Sequence, residues 1–181
     1  MNDLTKYLEI REEMKTGDLL LWQTENLLGT LIRLRTGKFT HASLIIRMAE
    51  WEGQERRRYH IEAGPKGFYP AILSNEIQTY GGHIWWYPLK DEYNPFRTAL
   101  GLKMTSMFGI GYDFLSLARN IWGRVRPNAK KLYCSEGAYM TYDDSKIINP
   151  NCEYMRKHGG WSPTPSDLPL LELFKKDTQF I

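Results

Sequence analysis

The sequence contains only two cysteines, Cys134 and Cys152, and it has no apolar run long enough to span a bilayer. Residues 1–15 are charged throughout and lack the apolar core and small-residue cleavage site of a secretory signal. These absences predict a cytoplasmic protein with no stable membrane insertion. In that reducing compartment we expect both thiols to stay reduced, so no disulfide is predicted.

Motifs for metals, cofactors and nucleic acids are also lacking. The sequence has no Cys-x-x-Cys or His-x-x-x-His spacing, no clustered acidic loop and no glycine-rich phosphate loop. The formal net charge is +3, and the one dense basic block, residues 56–58, lies beside a predicted hairpin without interleaved aromatic residues. We therefore expect no metal, no cofactor and no nucleic-acid partner.

What the chain does contain is the composition of a globular protein. Of its 181 residues, 42% are hydrophobic and 25% are charged, which is enough to bury a core without disulfides or metals. No internal repeat, low-complexity tract or linker interrupts it. These properties predict a single domain over residues 1–181.

The first half of the sequence predicts a sheet. Residues 19–22, Leu-Leu-Leu-Trp, form a continuous apolar run that is typical of a strand buried on both faces. Residues 41–48 and 57–63 have the β-branched and alternating patterns of a hairpin, and residues 68–72 and 82–89 predict further strands.

The second half of the sequence has helical periodicity, and one more helix is predicted on each side of the first strand. The predicted helices cover residues 4–14, 26–35, 96–108, 114–122 and 135–142. Because runs of strands are followed by runs of helices, we expect an α+β fold in which an antiparallel sheet or small barrel packs against helices.

Cys134 is the candidate nucleophile. It lies where the last predicted helix begins, and the N-terminal end of a helix stabilises a thiolate. Cysteine attack on an acyl carbon also needs an imidazole that accepts and returns the proton, and a polar group that orients the imidazole. His41 opens one predicted strand and Glu62 lies on its hairpin partner, so Cys134, His41 and Glu62 form our catalytic hypothesis.

Each of these residues also has an ordinary structural interpretation. A free cysteine is most often a small buried hydrophobic residue, and Glu62 could be a surface glutamate. Three further histidines compete with His41: His60, His83 and His158. Strand alternation places His60 on the same side as Glu62, so His60 could be the base in a different register. We favour His41 because it opens an apolar strand at an accessible end.

Five short motifs occur in a distinctive order: GDLL (17–20), THAS (40–43), IEA (61–63), YDF (112–114) and YCSE (133–136). A closing turn follows, with Ser-Pro at 162–163 and Ser-Asp-Leu at 166–168. This order, with histidine before cysteine, resembles the circularly permuted NlpC-type papain-like cysteine peptidases and amidases, the YiiX/YebB-like group. That group includes a poxvirus branch and is related to the lecithin:retinol acyltransferase-like proteins.

The resemblance implies a papain-like antiparallel sheet packed against helices, with the nucleophile at a helix N-terminus. It implies Cys134 as nucleophile, His41 as base and Glu62 as third member, in agreement with the residues themselves. It also implies that Tyr112 and Tyr133 line the substrate cleft. The implied activity is hydrolysis of an amide or related acyl bond through an acyl-cysteine, with a peptide, amide or acyl-containing small molecule as substrate.

Two other functions stay open. An acyltransferase or lipid-acting enzyme of the same fold would use the aromatic and methionine-rich residues 96–114 as an apolar channel, although the simpler interpretation of that stretch is core. A non-catalytic binding module of phage or viral type would use Trp85, Trp86 and Tyr87 as an exposed contact surface. The sequence predicts no oligomeric state.

Overall fold

The computed structural model describes residues 2–25, 37–49, 53, 56–64, 67–110, 134–159 and 161–181. Its strands are β1 Leu19–Thr24, β2 His41–Ile46, β3 Tyr59–Gly64, β4 Gly67–Ile72, β5 Gly82–Tyr87 and β6 Thr178–Gln179. Its α-helices are α1 Thr5–Ile10, α2 Leu73–Thr79, α3 Arg97–Ser106, α4 Cys134–Asp144 and α5 Glu153–His158, with 3-10 helices at Asp91–Phe96 and Pro165–Leu171. Within this described part, no helix is long and apolar enough to cross a membrane.

The six strands form one sheet in the order β4-β3-β2-β1-β5-β6. Every pairing between neighbouring strands is antiparallel. The predicted α+β fold, with an antiparallel sheet packed against helices, is therefore confirmed. Sequential strands lie side by side through β1 to β4, as short connections between antiparallel strands favour.

Strand β1 lies inside the sheet and is buried on both faces. Leu19 and Leu21 pack into one hydrophobic cluster, whereas Leu20 and Trp22 pack into a second cluster on the other face. The apolar run predicted this double burial, because alternate residues of a strand point to opposite faces. The strand therefore gives the sheet two separate cores.

The predicted hairpin is formed by β2 and β3, which pair antiparallel with Leu44 opposite Ile61. Strand β4 continues the sheet beyond β3 and carries Pro70. Proline has no N–H to donate to a ladder, so its place on a strand at the end of the order is the one that a sheet tolerates. This meander brings the first residue of β2 close to the middle of β3.

Helix α4 packs on the face of the sheet that carries Ala42 and Leu44. Gly137 permits the close approach, because a Cβ at this position would lie 2.5 Å from the ring of Phe68. Further along the helix, the Tyr142 hydroxyl donates a hydrogen bond of 2.9 Å to the carbonyl of Gly17. Both contacts fix where the start of the helix, at Cys134, meets the sheet.

Several predicted boundaries differ from the structure. The first helix is confined to α1, and a 3-10 helix containing Pro95 precedes α3. Helix α2 was not predicted, although its two buried residues, Leu73 and Ile77, have the spacing of one helical turn. The helices predicted over residues 26–35 and 114–122 lie outside the described residues.

The prediction of an exposed aromatic surface on β5 is wrong. Trp85 and Trp86 are only 6% and 5% exposed, because they pack into the two hydrophobic clusters of the sheet. Strand β6 pairs with the outer edge of β5. Trp85 packs against the ring of Phe39, and Trp86 donates a hydrogen bond to buried Asp18. The two rings therefore belong to the cores on opposite faces of the sheet.

Candidate active site

Cys134 is the first residue of α4 and is 5% exposed. The backbone N–H groups of Ala42 and Ser135 donate hydrogen bonds to its sulfur. The first N–H groups of a helix have no partner within the helix, so they are available to a negatively charged atom placed there. The local backbone therefore favours the thiolate form of Cys134.

The imidazole of His41 lies between the other two predicted residues. His41 is the first residue of β2, and its Nε2 atom is 3.5 Å from Oε2 of Glu62 on β3. Because Leu44 pairs with Ile61, Ser43 stands opposite Glu62, and His41 is its diagonal neighbour. The side chain of His41 is 23% exposed, but its Nε2 atom, which faces Glu62, is buried.

His41 is hydrogen-bonded to the sulfur of Cys134. Nε2 faces Glu62, which leaves Nδ1 as the nitrogen available to the sulfur. Strand alternation puts His41 on the face opposite α4, so ring and sulfur meet at the end of β2. The structure therefore brings Cys134, His41 and Glu62 together.

The pKa values of the pair shift in opposite directions. Burial alone would raise the pKa of the Cys134 thiol, but the charge and hydrogen bond of His41 lower it below its ordinary value. Burial alone would lower the pKa of His41, but the negative charges of Cys134 and Glu62 raise it well above its ordinary value. These directions favour a thiolate-imidazolium pair at neutral pH.

Glu62 provides the negative charge on the other side of the ring. Burial would raise the pKa of this carboxyl, but the charge and hydrogen bond of His41, together with the charge of His60, lower it. The carboxylate is thus ionised when the imidazole is protonated. The hydrogen bond between them is long, because Oε2 is 3.5 Å from Nε2 of His41.

His60, the competing histidine, is also close to Glu62, but it is completely buried. Its Nδ1 atom is 3.8 Å from Oε2 of Glu62 and 3.0 Å from Oγ of Ser43. Ser43 in turn accepts a hydrogen bond of 2.8 Å from Nε1 of Trp22. His60 therefore lies near the Glu62 carboxylate in the buried interior, whereas His41 contacts the thiol of Cys134.

A turn near the C-terminus ties the two halves of the site together. Next to the nucleophile, the Ser135 hydroxyl donates a hydrogen bond of 2.7 Å to the Pro163 carbonyl. From the turn, Ser162 donates one of 2.9 Å to Glu136. Ahead of His41, the backbone N–H of Phe39 donates one of 2.9 Å to the Ser166 hydroxyl. The turn thus holds both the start of α4 and the entry to β2.

No model of a known protein family matches the chain, and no curated protein matches it. Among solved structures, it is similar to the crystal structure of the metalloprotein YiiX from Escherichia coli O157:H7, a DUF1105 protein. The TM-score is 0.62 at 15% sequence identity, over 93% of this chain and 97% of that chain. The chain has a YiiX-like fold. This likeness agrees with the group that the motifs predicted, and the NlpC-type classification stays a prediction.

Two predicted residues of the candidate site, Tyr112 and Tyr133, lie outside the described residues, so their role in substrate binding stays a prediction. Within the described part, Tyr69 stands opposite Glu62 on β4 and is 37% exposed. Burial and the charges of Glu62 and Glu76 raise the pKa of Tyr69. Sequence reasoning missed this neighbour, which the pairing of β3 with β4 would have indicated.

Sequence reasoning also missed the roles of Ser43 and of the turn residues. Alternation was the available signal for Ser43, because it places His41 and Ser43 on one face of β2 and both His60 and Glu62 on the same face of β3. No local signal links Phe39 with Ser166, which are separated by 127 positions in the sequence. That contact follows from the folded topology.

Proposed function

We propose that this protein is a thiol hydrolase that cleaves an amide or related acyl bond through an acyl-cysteine intermediate. The observation that carries the proposal is the contact of one imidazole, that of His41, with both the Cys134 thiol and the Glu62 carboxylate. Activation of a thiol requires a nucleophile in contact with a base, and a base in contact with a group that orients it.

In the first half of the proposed reaction, the thiolate sulfur attacks the substrate carbonyl carbon. The carbonyl π electrons move to oxygen, and the helix-start N–H of Cys134 is the proposed donor to this oxyanion. When the tetrahedral intermediate collapses, the bond to the leaving nitrogen or oxygen breaks. His41 gives its proton to that atom, which leaves a thioester on Cys134 and a neutral imidazole.

In the second half, a water molecule takes the place of the leaving group. His41 accepts a proton from the water while the water oxygen attacks the thioester carbonyl. Collapse of the second tetrahedral intermediate breaks the carbon–sulfur bond and releases a carboxylic acid, and the thiolate-imidazolium pair is restored. Throughout, Glu62 stabilises the protonated ring and keeps its orientation.

The printed name of YiiX calls that protein a metalloprotein. In the described residues of this chain, no three His, Cys, Asp or Glu side chains are grouped so that they could hold a metal ion. The proposed reaction uses the protein groups Cys134, His41 and Glu62.

Acyl transfer is the alternative outcome for the same acyl-cysteine. It differs in the second half, where an acceptor other than water attacks the thioester. A void of about 10 Å³ adjoins the thiol and is lined by apolar residues, among them Leu44, Phe68 and Met107. Such a void is too small to hold an acyl chain at this position.

The first test is the rate of alkylation of Cys134 by iodoacetamide at pH 7, followed by peptide mass mapping. An ordinary thiol is only about 3% ionised at this pH, so we expect Cys134 to react about tenfold faster than free N-acetylcysteine. His41→Ala removes the stabilising cation, and its rate should fall to that of an ordinary thiol or lower. Buried Cys152 is the internal control in the same digest.

Intact mass spectrometry with activated acyl esters and anilides tests the covalent step. We expect an acyl adduct that maps to Cys134, forms in the wild type, and decays in water. His41→Ala should lower turnover by about 10²- to 10⁴-fold, the usual contribution of a general acid-base group. Alkylation no faster than N-acetylcysteine, or an adduct that forms equally well in His41→Ala, would reject the hydrolase proposal.

A further inference from the structure

Glu62 faces two imidazoles with the same carboxylate oxygen. Oε2 is 3.5 Å from Nε2 of His41 and 3.8 Å from Nδ1 of His60. The two histidines have different environments, because His41 is 23% exposed and His60 is fully buried. Only His41 contacts the Cys134 thiol, so His60 has a different part in this site.

The tautomer of His60 follows from its surroundings. Oγ of Ser43 already accepts the Trp22 N–H and lies 3.0 Å from Nδ1 of His60. Nε2 of His60 is buried without a hydrogen-bond partner among the described residues. With the proton on Nε2, a buried donor would be unsatisfied and the Nδ1 lone pair would face the negative Glu62 carboxylate 3.8 Å away, even if the Ser43 hydroxyl donated to Nδ1. With the proton on Nδ1, the N–H donates to Ser43 and its dipole attracts that carboxylate. The Nδ1–H tautomer is therefore favoured.

We propose that His60 is a positioning residue of the proposed hydrolase: its Nδ1–H donates to Oγ of Ser43 at 3.0 Å, and the same N–H dipole, 3.8 Å from Oε2, attracts the Glu62 carboxylate and keeps it facing His41. Trp22 and Ser43 form the support behind it, because the indole N–H fixes the serine hydroxyl and the hydroxyl fixes the tautomer of His60. The rings of Trp22 and His60 are also in contact, with centroids 5.3 Å apart. This inference rests on the proposed function, since it assigns His60 to the same site.

The neutral state of His60 is part of this role. Burial lowers the pKa of His60 to about 4, and the charge of His41 lowers it further against the opposing effect of Glu62. A second imidazolium would compete with His41 for the one carboxylate. A neutral ring instead presents only an N–H dipole to the carboxylate and leaves the full charge of Glu62 to the protonated His41.

The other titratable groups near Glu62 do not replace His60. Burial and the charge of Glu62 raise the pKa values of Tyr69, Glu76 and Tyr80, and that of Tyr80 reaches about 12. The two tyrosines therefore stay neutral at pH 7, and Glu76 adds a second negative charge. Within the described residues, His41 is the main group that lowers the pKa of Glu62, and the charge of His60 adds to this effect only when its ring is protonated, near pH 4.

The pH profile of Cys134 alkylation tests the inference without a substrate. His60→Phe keeps an aromatic ring but removes the donor, and we expect the midpoint of the profile to rise by about one pH unit. The rate at pH 6 should then fall by up to about tenfold. His60→Asn keeps an N–H donor near the position of Nδ1 and should recover most of the rate. His83→Phe, at a histidine paired with Glu25 3.0 Å away, is the matched control with a wild-type profile.

A double-mutant cycle separates positioning from general damage to the fold. If His60 acts through Glu62, adding His60→Phe to Glu62→Gln should change the midpoint no further. Equal effects of His60→Phe in both backgrounds, or a wild-type profile for His60→Phe, would overturn the inference. A wild-type thiol that alkylates like N-acetylcysteine would instead reject the hydrolase proposal, so the two failures are distinguishable.

Nitrogen-15 NMR of the wild-type histidine side chains gives a readout that does not depend on any variant. At pH 7 we expect His60 to be neutral and protonated on Nδ1, which is the minority tautomer of free histidine in water. Protonation on Nε2, or a positively charged His60 at pH 7, would contradict the inference even if every variant failed to fold.

Discussion

Two ionic clusters lie at opposite ends of the β1–β2 pair, and they differ in how completely their polar atoms are satisfied. At one end, buried Asp18 accepts four hydrogen bonds, including one of 2.7 Å from Arg97. At the other end, His41 and Glu62 are 3.5 Å apart and about one-quarter exposed. The saturated cluster holds β1 to the segment that follows β5 and to α3, whereas the looser cluster leaves an imidazole able to exchange a proton.

The residues of the reactive cluster are held in place by hydrogen bonds that their chain neighbours make outside the cluster. Asp18 is fixed by its own bonds, but His41 is fixed through Phe39, and Cys134 through Ser135, by hydrogen bonds to one turn. A reactive group cannot be fully satisfied in its resting state, because it must form new bonds during the reaction. Neighbouring tethers can position it without occupying its reactive atoms.

Replacement of Asp18 by asparagine should have the largest effect on stability. Asp18→Asn leaves Arg97 without its anion and presents an amide to donors that need acceptors, so we expect a loss of about 3–5 kcal/mol in the free energy of unfolding. Urea denaturation measures this loss. The folded variant should still alkylate Cys134 at the wild-type rate, because Asp18 lies at the far end of β1.

The matched control for that variant is Asp91→Asn, which breaks an exposed pair with Lys175 of the same 2.7 Å separation. We expect no measurable change in its urea midpoint. If Asp18→Asn were equally harmless, or if it slowed alkylation of the folded protein, the division between a stabilising and a reactive cluster would be wrong.

Acid should weaken the protein through the reactive end. The folded pKa of His60 is about 4, below its ordinary value of 6.5, so the unfolded chain takes up a proton first as the pH falls. Between pH 7 and pH 5 this linkage should cost about 2 kcal/mol. His41 has a raised pKa, so its contribution is fully present below pH 6.5 and is lost only as the pH rises.

Glu62 does not alter this window, since its pKa is lowered and its contribution disappears only as the pH falls below about 4.5. The difference between the urea midpoints at pH 7 and pH 5 therefore has two sources at the reactive end: His60, and Cys134, whose lowered pKa also makes its contribution smaller as the pH falls. That difference should shrink in His60→Phe, whose side chain cannot take up a proton. An unchanged difference would mean that acid acts through other groups.

The sequence predicted one of these two clusters in outline and the other hardly at all. His41, Glu62 and Cys134 have the residue types that thiol chemistry requires, and the hairpin that unites the first two has a strong alternating pattern. Asp18 was noted only as part of a short motif. Its partner Arg97 lies 79 positions away, and no local periodicity reports such a contact.

The same limit explains the errors on the fold. Residues 19–22 revealed β1 because double burial is visible in consecutive apolar residues. The aromatic residues of β5 were predicted to be exposed, because no nearby residue indicates that Phe39 packs against Trp85 or that Asp18 accepts a hydrogen bond from Trp86. Register and long-range return are properties of the folded chain, whereas face, period and residue chemistry are properties of short segments.

The smallest predicted effect comes from the tether between Ser166 and Phe39. Ser166→Ala removes the acceptor of the Phe39 N–H, which should lower the free energy of unfolding by about 1 kcal/mol. Because Phe39 is two residues before His41, we also expect Cys134 alkylation at pH 7 to slow by a few fold.

Ser106→Ala is the control, because among the described contacts the Ser106 hydroxyl donates a hydrogen bond only within α3, to the Lys103 carbonyl. A slower reaction in Ser166→Ala but not in Ser106→Ala would show that the turn positions the reactive cluster; an equal small loss of stability in both, with full alkylation, would mean that His41 is held by the sheet alone.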